Sequence, residues 1–158
     1  MTKIIGIDPG LSATGIGVVT GSGLKIQSYS YGVIQTSKDA TLPHRLHRIF
    51  TKFTEILTNE QPDQMVVEDV FSLTEYPKSG IQLGKVTGIL LLAGHQIGVS
   101  ISEVPVREAK RVLTGNGSAS KQQLEKAIRK KLGLTEPIKP WHASDALGLA
   151  LIGLYRFG

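Results

Sequence analysis

A chain of 158 residues, 41% hydrophobic and 20% charged, is long enough for one domain with its own core and too short for two ordinary ones. That composition excludes a disordered chain, the lack of cysteine excludes disulfides, thiolate metal sites and cysteine nucleophiles, and no apolar run approaches the roughly 20 residues of a membrane span. The net charge is +5, and its distribution matters more than its sum.

Met1-Thr2-Lys3 leads straight into the first predicted strand, residues 3–8, so no signal peptide is expected. The apolar run Ile4-Ile5-Gly6-Ile7 delivers Asp8 into a Pro9-Gly10 turn. A charge at the mouth of a buried strand is costly unless a cation or hydrogen bonds compensate it. Residues 15–20 and 24–35 form the next two strands, joined around Gly21-Ser22-Gly23, a hairpin signal. Thr41 ahead of Pro43 opens a helix, and Leu42, Leu46, Ile49, Phe50, Phe53, Ile56 and Leu57 keep helical spacing to residue 58. Met65-Val66-Val67 is a short buried strand ending in Glu68-Asp69, the same form as the opening. A helix follows over 79–96, where Gly80, Gly84 and Gly88 recur every four residues. Each costs up to about 1 kcal/mol relative to alanine, which implies close packing against the sheet or against a second copy. Residues 99–104 are the fifth strand, stopped by Pro105. The spans 106–113, 121–132 and 141–156 are helical, with Ser120 and Gln123 as a capping box for the second. The order β-β-β-α-β-α-β-α-α-α predicts an α/β fold. Its five-stranded mixed sheet, an antiparallel meander then parallel strands, has helices on both faces in a single domain over 1–158.

Three carboxylates stand out on this frame: Asp8 after the first strand, Glu68 after the fourth, and Asp145 in the last helix. His142 lies three residues before Asp145, so the two share a face. Adjacent strand ends bring Asp8 and Glu68 together, and a helix across the sheet end adds Asp145. Clustered carboxylates either bind a proton or hold a hard cation, and all-oxygen ligation suits Mg²⁺ or Mn²⁺. Such ions activate water in phosphodiester hydrolysis. Taken singly, each acid could be a solvated strand end or helix surface, and Asp69 is expected to stay one because alternation points it away from Glu68. From Arg107 to Lys139 there are nine Lys/Arg against three acids. A basic region beside an acidic site suggests a polyanion brought to a metal; a solvated helix face is the alternative.

The segments Ile4-Ile5-Gly6-Ile7-Asp8-Pro9-Gly10 with Thr14-Gly15, Val66-Val67-Glu68-Asp69-Val70-Phe71, Gly115-Asn116-Gly117-Ser118-Ala119 with Lys121, and His142-Ala143-Ser144-Asp145-Ala146-Leu147 resemble, in order and spacing, the motifs of the RuvC family of crossover-junction endodeoxyribonucleases. The resemblance implies a ribonuclease H-like fold and a homodimer that binds four-way (Holliday) junction DNA, nicking two opposed strands with Mg²⁺ in recombination and repair. It also implies cooperation with the RuvA–RuvB branch-migration complex and, with the cysteine-free composition, a cytoplasmic location. By motif match Asp8, Glu68 and Asp145 become catalytic metal ligands. His142 stands where many members carry aspartate and is a nitrogen ligand, better suited to Mn²⁺ than to Mg²⁺, or a base positioning the attacking water. Phe71 falls at an aromatic used against a base near the crossover, and Lys110 and Lys121 at DNA-contacting lysines. Arg111 and Ser118 join them as candidate DNA contacts. The segment Ser72 to Ser79 departs from the family in being slightly longer and lacking its usual asparagine.

The 115–121 loop lacks the glycine before Lys121 and the Ser/Thr after it that a nucleotide P-loop requires, so a backbone contact to DNA phosphate is the better reading. His44 and His47, on a helix without a nearby acid, are expected at the surface, and Trp141 is expected to anchor the last helix. Two other functions compete: a related ribonuclease H-like nuclease of the YqgF type acting on structured RNA, and an actin- or sugar-kinase-like ATPase. The second needs a duplicated domain and far more chain.

Overall fold

The structure, a computed structural model, describes residues 1–69 and 77–158. Alternation along β1 (Thr2–Asp8) sends Ile5 and Ile7 to one side and Ile4, Gly6 and Asp8 to the other. β2 (Ala13–Ser22) pairs antiparallel with β1, and β3 (Lys25–Gln35) pairs antiparallel with β2. β2 outruns its predicted span at both ends: Ala13 and Thr14 already pair with Gln35 and Ile34 of β3, and beyond a register shift between Thr20 and Gly21 pairing continues to the hairpin at Gly23. α1 (Leu42–Glu60) starts at the expected place, with Thr41 as its N-cap accepting from the His44 amide.

β4 (Gln64–Glu68) and β5 (Ser100–Val104) complete the sheet in parallel, in the order β3-β2-β1-β4-β5. α2 (Pro77–Ile97) lies between them in sequence. α3 (Val106–Thr114), α4 (Lys121–Leu132) and α5 (Trp141–Phe157) follow, and α4 carries the Ser120–Gln123 capping box. The element order is the predicted one. Two cores result. Ile5, Ile7, Met65 and Val67 pack with Ile49 and Phe53 of α1 and Leu90 of α2. On the opposite face Ile4, Val19 and Val66 pack with Leu113, Leu124, Ile128, Leu147 and Leu151 of the last three helices.

α5 lies almost on the sheet backbone. A Cβ on Gly6 would overlap the carbonyl of Ala146, and one on Gly15 the carbonyl of His142; one on Gly17 would sit 2.6 Å from the Leu147 nitrogen. These three glycines form a track that admits the helix backbone, with Ala143, Ala146 and Ala150 fully buried along it. The lead-in to α5 is tied down by buried Glu125, which accepts from the Ile138 amide at 3.0 Å and pairs with Arg129 at 3.1 Å. Gly84 and Gly88 behave differently: among the described residues nothing lies within 4 Å of a Cβ built on either. They face away from the sheet, on a side of α2 that also exposes Ile81 (64%) and Leu92 (49%).

Candidate active site

Register brings the strand-borne acids together. Ile7 of β1 pairs with Val67 of β4 in parallel, so Asp8 and Glu68, one residue on, leave neighbouring strand ends on the α5 side of the sheet. The glycine track sets α5 against those ends, and His142 Nδ1 then donates to Asp8 Oδ2 at 2.8 Å, across 134 residues of sequence. Asp145, one turn on, lines the same cavity. That cavity, of about 240 Å³, is bordered by Asp8, Pro9, Glu68, Asp69, Leu83, Val106, Lys110, Lys121, His142 and Asp145.

The acids raise one another's proton affinity. Burial, then a hydrogen bond with Asp8 and repulsion from Asp8 and Asp145, push the Glu68 carboxyl up to about 9, against the pull of Lys121. Burial and the Asp8 charge push Asp145 up to about 6, opposed by Lys121, His142 and Lys110. The hydrogen bond to Asp8 holds the His142 imidazole above its usual value, although burial works the other way. Without a cation the site therefore keeps protons in place of metal charge. Its donor set, three carboxylates and an imidazole around one cavity, fits a divalent cation chemically. The ring is not closed as it stands: among the described residues no three His, Asp or Glu side chains are grouped closely enough to hold an ion, and Asp8 is hydrogen-bonded to both His142 and Glu68. Asp8, Glu68, Asp145 and His142 are the residues that would hold the ion.

This proton loading has a consequence for stability. A carboxyl with a raised folded-state pKa stabilises fully below its unfolded value and loses that contribution as pH rises through the folded one. For Asp145 and Glu68 the loss runs from the ordinary carboxylate range up through about 6 and about 9. Chelator-treated protein is expected to melt several degrees lower near pH 8.5 than near pH 5.5, and Mg²⁺ to raise Tm more at the higher pH. Melting curves in both buffers test this; a Glu68→Gln variant that kept the full pH dependence would remove its basis.

The remaining expected site residues divide. Lys110, half-buried on α3, and Lys121, exposed at the start of α4, both border the cavity. Arg111 does not: it is exposed beside Glu108, 4.0 Å away, and lines a separate groove with Arg107 and Gly117. Ser118 is also exposed and away from the cavity, its amide donating to Asn116 Oδ1 at 2.9 Å. Phe71, with most of the 72–79 segment, lies outside the described residues. Asp69, just past the end of β4, also borders the cavity, and its amide donates to the Val104 carbonyl of β5 at 2.9 Å. Leu83 and Val106 supply apolar walls that no motif marked. His44 and His47 are exposed as expected. Trp141 is 41% exposed at the start of α5; the glycine track and the buried alanines do the anchoring expected of it.

Comparison with known proteins agrees with this geometry. The family model described as crossover junction endodeoxyribonuclease RuvC matches residues 4–153. The chain is 38% identical over 156 residues to the RuvC of Carboxydothermus hydrogenoformans, covering 99% of this chain and 98% of that one. To the RuvC of Rhodopirellula baltica it is 34% identical, covering 96% and 85%. In three dimensions it superposes on Thermus thermophilus RuvC, solved in complex with a Holliday junction substrate, with a TM-score of 0.91, 30% identity, and coverage of 99% and 94%. The sheet with its flanking helices is thus a ribonuclease H-like α/β fold. Matched over nearly its whole length in sequence and in structure, the chain belongs to the RuvC family of crossover junction endodeoxyribonucleases.

Proposed function

We propose that this protein resolves four-way (Holliday) DNA junctions by hydrolysing one phosphodiester bond in each of two opposed strands. The observation that carries the reading is the convergence of Asp8, Glu68, His142 and Asp145 on one cavity with Lys110 and Lys121 at its rim. A divalent ion held there, Mg²⁺ with Mn²⁺ as substitute, supplies an acidified water and neutralises charge on the phosphate. The chain's own residues do the rest. Asp8 orients the imidazole of His142 through Nδ1, which leaves Nε2 as the ring atom able to take a proton. Lys110 and Lys121 offset the carboxylates' repulsion of a phosphate and position the strand. Partly buried Leu83 and Val106 beside the acids give the site apolar walls.

The reading extends to partners. Symmetric nicking needs two sites, and the outward side of α2, with Gly84, Gly88, Ile81 and Leu92, suits the close approach of a second copy. Phe71 remains the proposed stacking residue for an unpaired base, and RuvA–RuvB the proposed partner in branch migration. Among the described residues no helix is long and apolar enough to cross a membrane, and we infer a cytoplasmic site of action.

The test offers purified protein a synthetic four-way junction, a linear duplex and a structured RNA, with and without Mg²⁺. Metal-dependent paired nicks in the junction alone are expected, while preferential RNA cutting overturns the reading. In the same assay Leu92→Lys is expected to sediment as a monomer and lose paired nicking.

A further inference from the structure

The loop that continues from Asp8 is held from outside the cavity. Gly10 is tied to Thr14, whose Oγ1 accepts from the Gly10 amide at 3.3 Å and donates to its carbonyl at 2.7 Å. Past Gly10 the ties come from β3's end: the Thr36 amide donates to the Ser12 carbonyl at 3.1 Å, and Thr36 Oγ1 donates to the Leu11 carbonyl at 2.5 Å. Arg45, one turn into α1, holds that arrangement. Its Nε donates to Thr36 Oγ1 at 2.8 Å and its Nη2 to Ser12 Oγ at 3.0 Å.

Three features make this more than a surface contact. Thr36 Oγ1 accepts from a cation and donates onward, and such a chain polarises and strengthens each bond. Among the described residues no carboxylate pairs with Arg45, so its fork is committed to the two hydroxyls. The loop also abuts the site, since a Cβ on Gly10 would lie 3.4 Å from His142 Cε1.

Resting on the function proposed above, we propose that Arg45 is a positioning residue for junction cleavage, acting through Thr36 and Ser12 on the Gly10–Ser12 loop and so on the His142–Asp8 pair. It is tested with Arg45→Met, Arg45→Lys and Thr36→Val. Lysine keeps the charge without the fork, and valine removes the relay without touching any charge. The expected result is a cleavage rate at saturating protein at least about tenfold lower in all three, with junction affinity measured in Ca²⁺ within about twofold of the parent, the pattern of lost orientation. In metal-free, DNA-free protein the same variants should show faster amide exchange across residues 10–14 and a shifted His142 ¹³Cε1 resonance.

Weakened junction binding with an intact saturated rate in Arg45→Met, rescued by lysine, would make Arg45 a phosphate contact and overturn the proposal. So would a Thr36→Val variant that cuts like the parent, or unchanged exchange at the loop. Should the parent itself fail to cut junctions, the function reading falls, and the exchange and resonance measurements still decide whether Arg45 holds the loop.

Discussion

Asp8→Asn is expected to leave a four-way junction bound and uncut. The amide keeps the shape of the side chain and can still accept from His142 Nδ1, so the fold and the Asp8–His142 contact survive. What is lost is the charge at the centre of the cluster. Removing a residue one shell out from a metal already costs about 10- to 100-fold, so loss of a ligand should slow cutting by more than about a hundredfold. The same change has a second signature. The Asp8 charge raises both Glu68 and Asp145, so without it both carboxyls fall toward their ordinary range. Chelator-treated Asp8→Asn should therefore lose less stability than the parent as pH rises. Gel-shift, nicking and melting experiments on one preparation read all three effects. Wild-type cutting by Asp8→Asn would remove the metal-ligand role; lost binding without lost stability would mean that Asp8 serves the DNA surface instead. His142→Ala should slow cutting in both Mg²⁺ and Mn²⁺, and full activity in both would leave the imidazole without a role.

Gly6→Ala should produce a large loss of stability, at least about 3 kcal/mol, the range of severe overpacking. The added methyl meets the Ala146 carbonyl and the Ala150 nitrogen, both backbone atoms of α5, so no side-chain rotation relieves it. The helix must retreat from the sheet, opening the core built on Ile4, Val66, Leu147 and Leu151 and drawing His142 and Asp145 from Asp8 and Glu68. Urea denaturation should show the loss, and any folded fraction should cut slowly. Gly84→Ala is the contrast. Within one copy it meets open space, so the fold of the single chain should be unharmed or gain up to about 1 kcal/mol from helix propensity, any cost falling on the pairing of two copies. Equal effects at both positions would contradict the close approach of α5.

Periodicity carried much of this fold. The apolar runs ending in Asp8 and Glu68 are short-range patterns, and parallel pairing of buried strands turns them into adjacent acids. His142 and Asp145 were legible from helical spacing together with the family motif. The glycine track was not, because glycine inside a strand reads locally as a weakness; its purpose depends on a helix some 130 residues later. The Arg45 clamp was hidden for a similar reason: its partners Ser12 and Thr36 lie 33 and 9 residues away, and only the folded loop makes them neighbours. Gly84 and Gly88 were expected to pack closely against the sheet or a second copy; within the chain both meet open space, which removes the first alternative.

The place of α5 in the chain also governs when the cavity can be completed. Residues 141–157 emerge from the ribosome after every strand, and the contact between Asp8 and His142 spans 134 residues. At ordinary elongation rates of about 5–20 residues per second, that interval lasts on the order of ten seconds. Once Glu68 has been made, the nascent chain carries Asp8 and Glu68 but lacks half of the cavity's acid–imidazole set until α5 follows. The cavity's acid–imidazole set is therefore complete only when the last helix docks, and a truncated or stalled chain lacks His142 and Asp145.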